Sequence, residues 1–300
     1  MARSTPSRRL VSVAIAPALM TLGNLLCGFM AVFWASRPSD VVVLGEFHPL
    51  TLAAALVFGG MIFDALDGAV ARLVRSTSSF GAQLDSMADM VTFGVAPAFI
   101  VIQLNDVGAP FFAAGAMDTY FGRLALLIAA AYAACCALRL ARFTLEAAPQ
   151  RTPDHSIFTG LPSPGAAGTV CGLVLVYLTL VGDQPPATTR VVGFLIVGVL
   201  LTVALAMVSH LPYPHAVNRY LRGRQPFWYV AMVVVAVILL LTAPVYAVAA
   251  GFALYALLPP VAWVLRRGRG RRDGEGAPVT PIHDRTRVSP WLADRGEAGE

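Results

Sequence analysis

Eight long apolar stretches dominate this sequence and limit the folds that it can adopt. Of the 300 residues, 57% are hydrophobic and only 13% are charged, which is too little polar surface for soluble domains. A helix needs about 20 apolar residues to cross the hydrocarbon core of a bilayer. The sequence therefore predicts an all-α, polytopic membrane bundle of about eight transmembrane helices. The predicted spans are residues 10–35, 50–73, 85–104, 122–145, 165–182, 190–208, 228–244 and 246–265, the last two joined by a tight turn near Pro244.

The basic residues predict the direction of these spans. All 22 of them are Arg, and with the amino terminus inside, all but Arg37, Arg123 and Arg190 fall on the cytoplasmic side. Because cytoplasmic loops are enriched in basic residues, we expect a multi-pass protein of the cell membrane with both termini in the cytoplasm. The first stretch is too long for the apolar region of a cleaved signal peptide, so we expect it to be retained.

The chain is predicted to divide at residue 265. Residues 1–265 form the membrane domain, and residues 266–300 form a basic tail rich in Gly, Pro and charged residues that is predicted to be disordered. The arginines of the tail either attract anionic lipid headgroups or serve as a topology signal.

Four aspartates interrupt the second and third stretches. Their spacing is Asp64-x-x-Asp67 and Asp85-x-x-x-Asp89, so each pair lies on one face of its helix. A lone carboxylate at the bilayer centre costs roughly 2.5–3.5 kcal/mol, so four of them need compensation. Because the loop between the two spans is predicted to be cytoplasmic, the acids belong to the cytoplasmic half of the membrane. Converging carboxylates are hard oxygen ligands, which indicates a Mg²⁺ or Mn²⁺ site.

Small residues and an arginine stand beside these acids. Gly68 and Ala71 leave one helix face bare, where a nucleobase or a pyrophosphate can approach the backbone. In a membrane the same spacing also serves helix packing. Arg72 offers a planar fork that matches two phosphate oxygens.

The complete pattern resembles the signature of the CDP-alcohol phosphatidyltransferase family. That signature has two aspartates, a glycine, an Ala-Arg pair, a second glycine and two more aspartates. The matching positions are Asp64, Asp67, Gly68, Ala71, Arg72, Gly81, Asp85 and Asp89. The resemblance implies two divalent ions held by the four aspartates, with Asp89 as the general base. It also implies that CDP-diacylglycerol contacts the glycines, Ala71, Arg72 and, in the loop, Ser78.

Three further segments, residues 21–29, 138–143 and 158–164, resemble the branch of that family whose acceptor alcohol is L-serine. Arg139 and Arg142 share a helical face and are predicted to hold the serine carboxylate, the lipid phosphate or both, unless they only anchor the helix at the membrane surface. Asn24 either donates to the nucleotide of CDP-diacylglycerol or forms a cap or an interhelical hydrogen bond.

The resemblance implies phosphatidyl transfer from CDP-diacylglycerol to L-serine, which gives phosphatidylserine and CMP. Two alternatives remain. One is the same chemistry with glycerol 3-phosphate or inositol phosphate as the acceptor. The other is a cation-coupled transporter, since intramembrane acids also mark ion pathways. The expected partners are the two substrates, membrane lipids and, from the relatives, a second copy of the chain; no nucleic acid is expected.

Overall fold

The computed structural model describes residues 8–38, 47–74, 79–104, 120–146, 160–181, 186–209, 211 and 227–273. All regular structure in these ranges is helical and none of it is β-strand, which confirms the all-α prediction. In chain order the elements are α1 (Arg8–Ala35), α2 (Pro49–Val74), α3 (Ser79–Asp89), a π-helical segment (Met90–Val95), α4 (Ala96–Gln103), α5 (Tyr120–Glu146), α6 (Ser163–Val181), α7 (Pro186–Val208), α8 (Phe227–Thr242) and α9 (Pro244–Asp273).

Seven stretches of the described helices are long and apolar enough to cross a membrane. They lie in α1, α2, the continuous run from α3 to α4, α5, α6, α7 and α9. Large apolar side chains such as Leu26, Ile62 and Leu127 are more than 60% exposed on the outer faces of these helices. An apolar exterior of this kind suits lipid as the surrounding solvent, so this is a multi-pass membrane protein.

The chain near Pro244 differs from the prediction of two spans joined by a tight turn. The helix α8 has only 16 residues. The N–H of Ala243 donates to the carbonyl of Leu239, and its own carbonyl accepts from Ala247, so the backbone stays helical between α8 and α9. Pro244 lacks an N–H and interrupts the hydrogen-bond ladder there, which marks the junction between the two helices.

The first three helices pack closely because small residues lie between them. A Cβ atom added to Gly23 would lie 2.8 Å from the ring of Phe63, and one added to Gly28 would lie 2.4 Å from the hydroxyl of Thr92. Side chains at these positions would hold α1 away from α2 and from the π-helical segment. Small residues at helix crossings are the usual means of close packing in membranes.

The π-helical segment begins directly after Asp89 and is held from two sides. The hydroxyl of Tyr132, which is fully buried in α5, donates to the carbonyl of Phe93 at 2.9 Å. The hydroxyl of Thr92 donates to the backbone carbonyl of Asn24 in α1, also at 2.9 Å. Single π turns often occur at functional sites, and here one fixes the end of the helix that carries two of the aspartates.

Gly160 ties the start of α6 to the end of α7. Its φ angle is 99°, a conformation that favours glycine, and an added Cβ would lie 2.4 Å from the carbonyl oxygen of Met207. Its N–H donates to Leu211, while the N–H of the buried Leu161 donates to Ala206. The Gly-Leu-Pro-Ser sequence therefore has a structural role in placing the first residue of α6.

Three glycines of α6 form a seam with α9. Added Cβ atoms on Gly165, Gly168 and Gly172 would lie within 2.9 Å of atoms of the α9 residues Tyr255, Phe252 and Ala249, respectively. The hydroxyl of Thr169 also donates to the carbonyl of Phe252 at 3.1 Å. The glycine seam thus joins the last long helix to the rest of the bundle.

The chain divides into two compact units, Met1–Val261 and Ala262–Glu300, and every contact given above lies within the first. The predicted division into residues 1–265 and 266–300 remains a prediction, since residues 274–300 lie outside the described ranges.

The glycine seam predicts a large stability difference between two Gly→Ala substitutions. An added Cβ on Gly172 meets the backbone of Ala249 at 2.9 Å, whereas one on Gly198 in α7 meets nothing within 4 Å. Gly172→Ala should cost about 1–3 kcal/mol through overpacking. Gly198→Ala should be neutral or stabilising by less than about 1 kcal/mol. Thermal unfolding in detergent measures both, and equal melting temperatures would contradict the seam.

Candidate active site

Three carboxylates converge where α2 and α3 meet. One oxygen from each of Asp64, Asp85 and Asp89 can be chosen so that all three lie within 4.8 Å of one another. The side chain of Asp89 is only 8% exposed. This acid cluster, defined as Asp64, Asp85 and Asp89, is a hard oxygen donor set of the kind that holds a divalent metal ion. The residues present therefore fit the metal that the sequence predicts.

Asp67 lies on the same helix as Asp64 but forms a hydrogen bond with a residue of α1. Its carboxylate accepts a hydrogen bond from the hydroxyl of Thr21 in α1, and both side chains are buried. The spacing of three residues predicts that Asp64 and Asp67 share a helix face, but α1 provides Asp67 with a partner of its own. The predicted role of Asp67 as a metal ligand remains a prediction.

Asn24 connects α1 to the acid cluster. Its Nδ2 donates to Oδ1 of Asp89 at 2.9 Å, and the residue is fully buried. Of the alternatives that the sequence leaves open for Asn24, the structure contains the interhelical hydrogen bond. A contact with the nucleotide stays a prediction.

The other residues predicted to contact CDP-diacylglycerol surround the ends of α2 and α3. Gly68 and Gly81 are partly exposed. Ala71 and Arg72 belong to the last turn of α2, and their side chains lie outside the described part of the structure. Ser78, the predicted loop contact, lies outside the described residues altogether.

Arg139 extends from α5 toward the start of α6. Its Nη1 donates to the hydroxyl of Ser163 at 2.8 Å, and Ser163 is only 1% exposed. The guanidinium also interacts electrostatically with Asp89. Arg142 lies one turn further along α5 and is exposed. Arg139 is therefore partly buried and lies near Asp89, whereas Arg142 is exposed.

Three hydroxyl residues that make the contacts just described were not among the predicted site residues: Thr21, Thr92 and Ser163. One signal was present: Thr21 and Asn24 are polar residues three apart in a span, and such residues share a helical face. Polar side chains in membrane spans usually face the interior of the bundle. The hydrogen-bond partners of Thr92 and Ser163 lie on helices that are distant in the sequence, so no local sequence pattern predicts them.

Comparisons with known proteins agree with the family resemblance of the sequence. A sequence model of the CDP-alcohol phosphatidyltransferase family matches residues 14–208, which contain α1 from its second turn through α7. The chain is also similar to proteins named CDP-diacylglycerol–serine O-phosphatidyltransferase. The one from Helicobacter pylori strain J99 is 34% identical over 202 residues, covering 66% of this chain and 71% of that protein.

Two further relatives carry the same name. The Bacillus subtilis protein is 29% identical over 199 residues, covering 66% of this chain and 89% of the relative. The Mycobacterium leprae protein is 34% identical over 174 residues, covering 57% of this chain and 50% of the relative.

The acid cluster predicts that single Asp→Asn substitutions weaken metal binding without substrate present. Asp64→Asn and Asp85→Asn should each lower the affinity for Mn²⁺ roughly tenfold or more, because an amide is a poorer ligand than a carboxylate. Electron paramagnetic resonance of free and bound Mn²⁺ measures this in detergent. The control is Ser86→Ala, which removes a hydroxyl bonded to the backbone of Ala82 in the same helix. Unchanged binding in both acid variants would contradict a metal site here.

Proposed function

We propose that this chain, which belongs to the CDP-alcohol phosphatidyltransferase family, transfers the phosphatidyl group from CDP-diacylglycerol to the hydroxyl of L-serine, giving phosphatidylserine and CMP. The observation that carries the proposal is the 29–34% identity to relatives named for that reaction. The acid cluster on α2 and α3 supports it, because phosphate transfer requires an anionic, oxygen-rich site for divalent ions.

The four aspartates hold the metal in this proposal. Two divalent ions, Mg²⁺ or Mn²⁺, would be held by Asp64, Asp67, Asp85 and Asp89. Three of these four ligands form the acid cluster. When bound, the ions supply positive charge that offsets the negative charge on the phosphates. Thr21 keeps the carboxylate of Asp67 oriented through its hydrogen bond.

Asp89 acts as the general base. Its carboxylate takes the proton of the serine hydroxyl, and the serine oxygen forms a bond to the phosphorus that bears the diacylglycerol. The bond from that phosphorus to the oxygen of CMP breaks, and CMP leaves with the electron pair. The low exposure of Asp89 limits the access of bulk water, which would otherwise compete with serine as the acceptor.

The remaining predicted residues bind the substrates. Gly68 and Gly81 let the nucleotide approach the backbone, with Ala71, Arg72 and Ser78 as further contacts to CDP-diacylglycerol. Arg139, with Arg142 near it, binds the serine carboxylate or the lipid phosphate. The position of Arg139 between Ser163 and Asp89 supports this role, since a carboxylate held there brings the serine hydroxyl toward the base.

The protein acts in the cell membrane, with the site in the cytoplasmic half of the bilayer and as a homodimer. The distribution of the arginines supports this orientation. Both termini lie in the cytoplasm in this proposal, which needs an even number of crossings. The seven long stretches give an odd number, so an eighth crossing by α8 would require α8 and α9 to bend apart at Pro244.

The proposed acceptor predicts which alcohol drives CMP release. The purified protein with CDP-diacylglycerol and Mg²⁺ or Mn²⁺ should release CMP when L-serine is added and form phosphatidylserine, identified by mass spectrometry. Glycerol 3-phosphate and inositol 3-phosphate, offered separately, should give less than about a tenth of that rate. If CMP release is fastest with glycerol 3-phosphate or inositol 3-phosphate, the proposed transfer reaction stands but serine is not the acceptor.

Recognition of serine by Arg139 predicts a selective kinetic effect. Arg139→Lys replaces a fork that can bind two carboxylate oxygens by a point charge. Losing one charge-assisted hydrogen bond of about 1.5–3 kcal/mol should raise the Michaelis constant for serine roughly ten- to a hundredfold. The constant for CDP-diacylglycerol should change less. Arg123→Lys, on the same helix but 16 positions earlier, is the matched control. Equal rises for both substrates would assign Arg139 to the lipid phosphate.

A further inference from the structure

Asn24 donates a hydrogen bond to one of the two carboxylate oxygens of Asp89, the proposed base. Its Nδ2 lies 2.9 Å from Oδ1 of Asp89, an ordinary length for a charge-assisted hydrogen bond. This bond uses one lone pair of Oδ1, whose other lone pair can still contact a metal ion, and it leaves the second oxygen, Oδ2, available. From this geometry we infer that Asn24 is a positioning residue, which fixes the Asp89 carboxylate so that Oδ2 takes the proton of the acceptor hydroxyl. The inference rests on the proposed function, in which Asp89 is the base.

Asn24 is itself held by the segment that follows Asp89. Thr92 is fully buried in the π-helical segment, three residues after Asp89, and its hydroxyl donates to the backbone carbonyl of Asn24 at 2.9 Å. Two hydrogen bonds therefore join Asn24 to the same short stretch of chain, one through its side chain and one through its backbone. A rotation of α1 against α3 would break both, so the pair fixes the angle at which Asn24 meets Asp89.

Two glycines make room for this arrangement. An added Cβ on Gly60 would lie 2.9 Å from Oδ1 of Asn24 and 2.5 Å from the Cγ2 of Thr92. On Gly28 an added Cβ would lie 2.4 Å from the Thr92 hydroxyl. A side chain at Gly60 would therefore push the Asn24 amide away without changing its chemistry. Gly59, the preceding residue of α2, has only the sulfur of Cys27 near an added Cβ, at 3.7 Å.

Two other roles for Asn24 make different predictions. A purely structural hydrogen bond would affect folding, and a contact with the nucleotide would affect the binding of CDP-diacylglycerol. Complete burial of the residue and use of its amide by Asp89 favour the positioning role. A residue that acts only through Asp89 should affect the chemical step and should have no effect once Asp89 cannot act.

A double-mutant cycle tests this coupling. Asn24→Leu keeps the size of the side chain and removes the donor. It should lower kcat roughly 10- to 100-fold, with the Michaelis constants for serine and CDP-diacylglycerol within about threefold of the wild type. Asp89→Asn should itself lower kcat roughly 10²- to 10⁴-fold. In the Asp89→Asn background, Asn24→Leu should change kcat by less than about twofold.

Three results would overturn the inference. One is a double variant in which the reduction of kcat equals the product of the two single reductions, which would mean that Asn24 acts independently of Asp89. Another is a raised constant for CDP-diacylglycerol at unchanged kcat, which would assign Asn24 to the nucleotide. The third is an unaffected Asn24→Leu variant. If instead the wild type fails to release CMP in response to serine, the proposed function fails, whatever the variants do.

A steric pair provides a second test that leaves Asn24 in place. Gly60→Ala should lower kcat by a factor similar to that of Asn24→Leu, because the new methyl group displaces the amide. Gly59→Ala adds the same methyl group one residue earlier, in ordinary contact, and should retain wild-type kcat. Thermal unfolding in detergent checks that each variant is folded. Should Gly60→Ala fold with wild-type kcat, the position of the Asn24 amide does not matter and the inference is wrong; should it fail to fold, the double-mutant cycle decides.

Discussion

The burial of carboxylates within an apolar bundle is the constraint on which the rest of the structure depends. An uncompensated charge in the membrane interior is costly, and neighbouring carboxylates repel one another. The structure relieves this in two ways. Three acids converge into a cluster that suits a divalent cation, and α1 donates hydrogen bonds from Thr21 to Asp67 and from Asn24 to Asp89. The first helix therefore contributes to the candidate active site although it carries none of the four aspartates.

Close packing makes these contacts possible. Hydrogen bonds between helices require backbones that approach more closely than large side chains allow, and Gly28 and Gly60 provide that space around Thr92. The π-helical segment then directs Thr92 at α1 and Phe93 at Tyr132 of α5. Packing and polar contacts thus act together, and each depends on the other for its geometry.

The family match ends at a helix boundary within the first compact unit. The match ends at residue 208, where α7 ends. It contains the four aspartates of the candidate site together with Arg139 and Ser163. The helix α9 follows this region and joins it through the glycine seam of α6. It is attached by shape complementarity of small residues against Phe252 and Tyr255, a pattern without a strong signature in the sequence.

The sequence alone predicts the all-helical membrane fold, the family resemblance and the candidate acids of the site. Apolar length sets the number of long helices because a bilayer has a fixed thickness, and Asp spacing sets which acids share a face. The packing of helices that are distant in the sequence pairs Asp67 with Thr21 and brings Asn24 to Asp89. It also directs Arg139 to Ser163, whereas Arg142 is exposed. The structure has a helical junction in place of the predicted turn near Pro244. These outcomes depend on how helices far apart in the sequence rotate and pack against one another, and local periodicity carries no information about that.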